Sequence, residues 1–201
     1  MRAFLAIPVT EAVKEYIAQL QDFLKNRGVK AKWVRPESCH LTLLFLGDQA
    51  ADDLTSLRTV LKPRLTNLEP FSLRAGTLGT FGRMPRVLYL GWEEGRAGAF
   101  INLTRTVLQA AAESSVKMPG DAGRKKPTPH LTLARFKTSS DAKTLRHIGR
   151  KNRDLATWEW ECQFPKPAKA AAVIPVDHLV LYKSTLTPQG AIYDVIEKLP
   201  Y

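Results

Sequence analysis

The sequence predicts an α+β protein built on antiparallel sheet. Three observations carry that expectation. Strand-like and helix-like stretches are interleaved, yet several strands follow one another as hairpins, which disfavours a doubly wound parallel sheet. The run HLTLLFLG starts at His40 and the run HLTLARF starts at His130, each inside a strand-like segment. Around both runs the chain repeats a helix-after-strand rhythm, so an internal duplication with pseudo-two-fold symmetry is expected.

Element by element, RAFLAIPV reads as a first strand. The helix that follows takes Thr10 as its cap, buries Val13, Ile17, Leu20 and Leu24, and stops before Gly28. AKWVRPES is a short strand broken by Pro36, and CHLTLLFLG is a strand ended by Gly47. DDLTSLRTVLKPRL is helical until Pro63 disturbs it. FSLRAGTLGTF and RVLYLGW form two strands joined through Gly82 and Pro85. In the second half GAFINLTRTVLQAAAESS is a strong helix, VKMPGDAGRKKPTP a polar loop, and HLTLARFK a strand. SSDAKTLRHIGRKN is expected to be a helix capped by Ser139 or Ser140, and TWEWECQF alternates as a strand. PKPAKAAAVIP, residues 165–175, reads as an irregular surface excursion. DHLVLYKS and AIYDVIEKL close the chain as an antiparallel pair.

A chain of 201 residues, 44% of them hydrophobic, can bury a sizeable core. It contains no run of about 18 apolar residues and no signal-peptide layout at MRAFLAIPVTEAVKEY, so a cytoplasmic protein without a membrane partner is expected. Two isolated cysteines, Cys39 and Cys162, suit neither a disulfide framework nor a zinc site. Thirty Lys and Arg against nineteen Asp and Glu give a net charge of +11. A polyanionic partner, nucleic acid or a phosphorylated metabolite, is the natural suspect, although many basic proteins owe such charge to solubility alone. Local clusters are Lys30/Lys32/Arg35, Arg83/Arg86 and Arg124/Lys125/Lys126.

Alternation in a strand places His40 and Thr42 on one face and Leu41 and Leu43 on the other, and the same holds for His130 and Thr132 against Leu131 and Leu133. Related by a two-fold, the two His-Thr faces converge on one cleft. Two imidazoles there suit paired proton transfer, one ring accepting while the other donates. Cleavage of a phosphodiester needs both actions, together with donors to the phosphoryl oxygens. Thr42 and Thr132 supply hydroxyls, and Arg135 supplies a charge-assisted contact. His147, inside a basic helix, and His178, at a strand start without the following threonine, read as structural residues.

These residues resemble the two-histidine phosphoesterase superfamily, and within it the LigT-type RNA 2′,3′-cyclic phosphodiesterases. That family carries His-x-Thr-x twice, here His40-Leu41-Thr42-Leu43 and His130-Leu131-Thr132-Leu133. The likeness covers RAFLAIP, WVRPESCHLTLLFLG, TPHLTLARF and the ending LYKSTLTPQGAIYDVIEKLPY. It implies one bilobal domain over residues 1–201, with a motif in each of two intertwined lobes around a central cleft. It implies metal-free, cofactor-free opening of a 2′,3′-cyclic phosphate RNA end to a 2′-phosphate, by a protein expected to be monomeric. By resemblance, His130 activates water and His40 protonates the departing 3′ oxygen, an assignment the symmetry of the motifs leaves open. Thr42, Thr132 and Arg135 bind phosphate, and Phe45 stacks on a nucleobase. The resemblance also admits 2′-5′ RNA ligation or cleavage of 2′,5′-oligonucleotides, and a non-catalytic RNA-end-binding module is the remaining alternative.

One tension stands out. Phe45 and Arg135 each lie five positions after their histidine, where simple alternation puts them on the opposite face. A bulge could re-aim them, or Phe45 could belong to the core.

Overall fold

The computed structural model describes residues 1–81, 85–120, 127–151, 158–160, 163–188 and 190–201, with backbone alone at 139, 140, 146, 147, 150, 151 and 158–160. Gly82, Arg83, Arg124, Lys125, Lys126 and Cys162, and the side chains of Ser139, Ser140 and His147, lie outside the described set.

Two antiparallel sheets organise the chain. The first runs β11-β10-β1-β3, with β1 at Arg2–Pro8, β3 at His40–Asp48, β10 at His178–Thr187 and β11 at Gly190–Pro200. The second runs β2-β6-β5-β4-β9, with β2 at Lys32–Trp33, β4 at Phe71–Phe81, β5 at Val87–Glu94, β6 at His130–Arg135 and β9 at Val173–Val176. A small antiparallel pair joins β7, Gly149–Lys151, to β8, Trp158–Trp160. Helices α1 (Glu11–Asn26), α2 (Ala51–Leu65) and α3 (Ala99–Glu113) flank the sheets.

The expected duplication is visible in the topology. β1, α1 and β3 repeat as β5, α3 and β6, and in each half the histidine strand runs antiparallel to the strand before the helix. Pro8 lies opposite His40, and Gly91 lies opposite His130. The leucines of the two motifs drive this arrangement. Leu41, Leu131 and Leu133 are fully buried, and a leucine side chain withdrawn from water contributes about 1.5–3 kcal/mol. Helix α1 starts where Thr10 accepts the Val13 amide at 3.3 Å, and it buries Val13, Tyr16, Ile17, Leu20, Gln21 and Leu24. Helix α2 is tied to the first sheet by Glu197 of β11, which accepts from Arg58 at 2.9 Å and pairs with Lys62 at 2.5 Å.

Three local expectations need correction. The segment after β6 is not a continuous helix but one turn, α4 at Ser139–Ala142, and a 3-10 stretch at Lys143–His147. Its buried residues Ala142, Leu145 and Ile148 recur every third position, a period that matches three residues per turn rather than 3.6. Residues 165–175 are not a surface excursion throughout. Ala171 and Ile174 are buried, and β9 pairs with β4 through Ser72 opposite Pro175. Proline is tolerated there because β9 is an edge strand. Pro63 does not end α2, which continues through it to Leu65. Among the described residues no helix is long and apolar enough to cross a membrane.

Candidate active site

β3 forms one edge of the first sheet and β6 lies one strand in from the edge of the second. The cleft between the sheets encloses about 300 Å³, the lower end of the usual size for a small-ligand site. His40, Thr42, Phe45, His130, Thr132 and Arg135 all line it.

Phe45 and Arg135 reach that face because both ladders skip one residue at the same place. On β3, Leu44 lies opposite Leu5 and Thr42 opposite Ala6, which leaves Leu43 unpaired. On β6, Ala134 lies opposite Leu88 and Thr132 opposite Tyr89, which leaves Leu133 unpaired. Each extra residue shifts the alternation by one, so the fifth residue after the histidine returns to the histidine's face. The tension in the sequence is thereby resolved by paired bulges. Phe45 is 38% exposed and is not a core residue.

Buried glutamines stitch the bulged strands. Gln21 of α1, 2% exposed, donates from Nε2 to the carbonyls of Val34 at 2.6 Å and Leu133 at 3.1 Å. Gln49 donates to the Leu46 carbonyl at 2.6 Å, and Leu46 is the residue skipped at a second irregularity of β3, between Phe45 and Gly47. Gly47 there has φ +72°, a conformation glycine adopts without penalty. The Leu133 carbonyl also accepts the Val34 amide at 2.9 Å, so Gln21 is its second donor, whereas a carbonyl left bare in the interior would cost about 1–3 kcal/mol.

The imidazoles are held alike. His40 Nδ1 meets the Ser38 carbonyl at 2.9 Å and His130 Nδ1 meets the Thr128 carbonyl at 2.8 Å. A carbonyl only accepts, so each Nδ1 carries the hydrogen and each Nε2 is free for chemistry in the cleft. Their surroundings differ. The His40 ring lies 4.6 Å from Phe4 and 5.0 Å from Tyr193, the latter edge-on. The His130 ring lies 4.7 Å from Phe81 and 5.5 Å from Tyr89. Burial lowers the His40 pKa to about 4, against the pull of the Ser38 carbonyl, with the nearby His130 pushing the same way as burial. Burial also lowers His130, the Thr128 carbonyl opposes, and the Arg135 charge adds to the lowering.

Among the described residues, the ionisable side chains lining the cleft are Arg2, Cys39, His40, His130, Arg135 and Tyr193, with no carboxylate among them. The Arg2 guanidinium sits 4.5 Å above the Phe45 ring, a cation–π contact. Lys32 pairs with Arg135 across β2 and β6, extending the basic surface beyond the cleft. Burial, reinforced by Glu37 and opposed by Lys14, pushes the Cys39 thiol up to about 12, so it stays protonated and is no nucleophile.

Sequence reasoning missed Arg2, Phe4, Ser184 and Tyr193. Their strands were legible, but their meeting depends on β1 lying between β3 and β10. His178 sits away from the cleft, with Nδ1 2.6 Å from Asp177.

The model of the LigT-like phosphoesterase family matches residues 7–89, which include the first motif. The RNA 2′,3′-cyclic phosphodiesterase of Methanocaldococcus jannaschii is 32% identical, over 98% of this chain and 99% of its own length. This chain belongs to the LigT-like phosphoesterase family. A second relative with the same name, from Methanothermobacter thermautotrophicus, is 31% identical over 98% of this chain and 97% of its own. Among solved structures, TT0787 of Thermus thermophilus superposes with a TM-score of 0.69 at 29% identity, covering 100% of this chain and 97% of that one. The apo form of E. coli LigT shares the fold, with a TM-score of 0.68 at 21% identity over 99% of this chain and 96% of that one.

Proposed function

We propose that this protein is an RNA 2′,3′-cyclic phosphodiesterase, hydrolysing the cyclic end to a 2′-phosphomonoester with His40 and His130 as the acid–base pair. The observation that carries the reading is the presence of both imidazoles in one cleft without a described carboxylate, each with Nδ1 tied to a carbonyl and Nε2 free. The full-length relatives named for this activity support it.

The reaction balances without further participants. His130 Nε2 takes a proton from water as the water oxygen forms a bond to phosphorus. The bond from phosphorus to the 3′ oxygen breaks, and His40 Nε2 gives that oxygen a proton. The product is a 2′-phosphate beside a 3′-hydroxyl, and the rings exchange protons with solvent to reset. Thr42, Thr132 and Arg135 donate to the phosphoryl oxygens as charge moves between them. Burial keeps His40 neutral in the empty cleft. The anionic cyclic phosphate supplies the nearby negative charge that favours its acidic form. Phe45 offers its ring to the nucleobase.

The test is incubation of the purified protein with a short RNA ending in a 2′,3′-cyclic phosphate, in chelator. A 2′-phosphate end is the expected product. A 3′-phosphate end, or strict dependence on added metal, overturns the mechanism.

A further inference from the structure

The cleft is lined by polar groups that this chemistry leaves unused, Ser184 among them. Ser184 is 8% exposed and lines the cleft. The threonines bracketing the phosphate site belong to β3 and β6, whereas Ser184 belongs to β10, two strands from β3. Ala3 pairs with Lys183 and Phe4 with Tyr182, so Ser184 stands level with Arg2, the residue stacked on Phe45. Its other cross-strand neighbour is Tyr193, whose ring touches His40. Leu186, 67% exposed, forms the lip on the same strand face.

We infer that Ser184 reads the polar edge of the nucleobase, completing a base subsite with Phe45 and the Arg2 guanidinium stacked on it. The inference rests on the cyclic phosphodiesterase reading. A stacking face alone accepts every base, because every base has a π-face. A recessed neutral hydroxyl that both donates and accepts adds a hydrogen bond that depends on what the base edge presents. Ser184 and Tyr193 both come from LYKSTLTPQGAIYDVIEKLPY, the closing segment, to which the phosphate chemistry gives no task.

The experiment compares Ser184→Ala with the parent on the four nucleoside 2′,3′-cyclic monophosphates and on methyl ribofuranoside 2,3-cyclic phosphate, which has the same reacting ring and no base. On the best nucleotide, kcat/KM is expected to fall about five- to ten-fold, the worth of one neutral hydrogen bond. The spread among the four bases is expected to narrow, and the base-free substrate to change by less than about two-fold. Thr185→Ala, one residue away on the opposite face of β10, is the control and is expected to match the parent. An equal loss on the base-free substrate places Ser184 at the ribose or phosphate and overturns the inference. No loss on any substrate overturns it as well. Dissociation constants for nucleoside 2′-monophosphates and ribose 2-phosphate repeat the comparison without turnover. A parent that binds these ligands but opens no cyclic phosphate therefore breaks the reaction reading alone.

Discussion

Strands β3 and β6 present the same order of side chains to the cleft: histidine, threonine and, past a bulge, the residue five positions after the histidine. Both histidines hand Nδ1 to the carbonyl two residues earlier. The difference lies in what surrounds that frame. On the β3 side the fifth residue is Phe45, and Phe4 and Tyr193 crowd His40. On the β6 side the fifth residue is Arg135, and the neighbouring edge strand adds Lys32. The two halves thus offer two like-placed imidazoles, and they differ at the fifth residue, an aromatic ring on β3 and a guanidinium on β6. A symmetric site would bind its substrate in either sense. On the proposed function this one would prefer a single direction, with base toward Phe45 and phosphate toward Arg135.

The comparison can be broken first where the halves are alike. His40→Ala and His130→Ala are each expected to lower kcat on cyclic-end RNA about a thousand-fold, with the double variant little worse than either. A variant that keeps more than a tenth of the parent rate would remove its ring from the acid–base pair. Next come the unlike positions. Arg135→Ala is expected to cost about a hundred-fold in kcat/KM. Phe45→Ala is expected to cost about ten-fold, mostly in KM. Equal losses with equal KM changes would mean that the two ends of the cleft are not specialised.

Gln21 sharpens the comparison further. Gln21→Leu leaves the Val34 carbonyl without its side-chain donor and takes one of two donors from the Leu133 carbonyl, so the bulge beside Arg135 loses part of its support. Unfolding free energy is expected to fall by about 1–3 kcal/mol, and kcat/KM by about ten-fold from misplacement of the guanidinium. In an Arg135→Ala background the stability loss persists and the kinetic loss disappears. Independent kinetic losses that multiply would show that Gln21 does not act through Arg135.

The smallest effect is in pH. Burial lowers both rings from 6.5, His40 to about 4. The form with one ring protonated is lost as pH rises past the higher of the two values, which lies below 6.5. The profile of kcat/KM, which reports the free protein, is therefore expected to peak on the acid side of 6.5 and to decline from about pH 6.5 to 8. An optimum above about pH 7 would contradict the environments assigned to the rings.

Much of this was legible in the chain. The two HLTL runs pointed to paired strands with leucine inward and histidine outward, and hairpin order pointed to antiparallel sheet. The bulges were not legible, because an extra residue in a ladder leaves no mark on the local pattern. Leu43 and Leu133 read as ordinary alternating leucines. Nothing in the helical pattern singles out Gln21, and only the carbonyls of Val34 and Leu133 that it meets explain its burial. The stretch from Ser139 was misread as a helix because apolar spacings of three and four residues are hard to separate over so few turns. Ile174 and Val176 were hidden by the proline between them.

The cleft that attracts a phosphate by presenting cations and no carboxylate also determines how it lets go. Its substrate carries a single negative charge, whereas the opened monoester carries close to two at neutral pH. On the proposed function Arg135 is therefore matched better to the product than to the substrate. Departure of the product is therefore expected to pace turnover, with added inorganic phosphate or salt loosening that hold while also weakening capture.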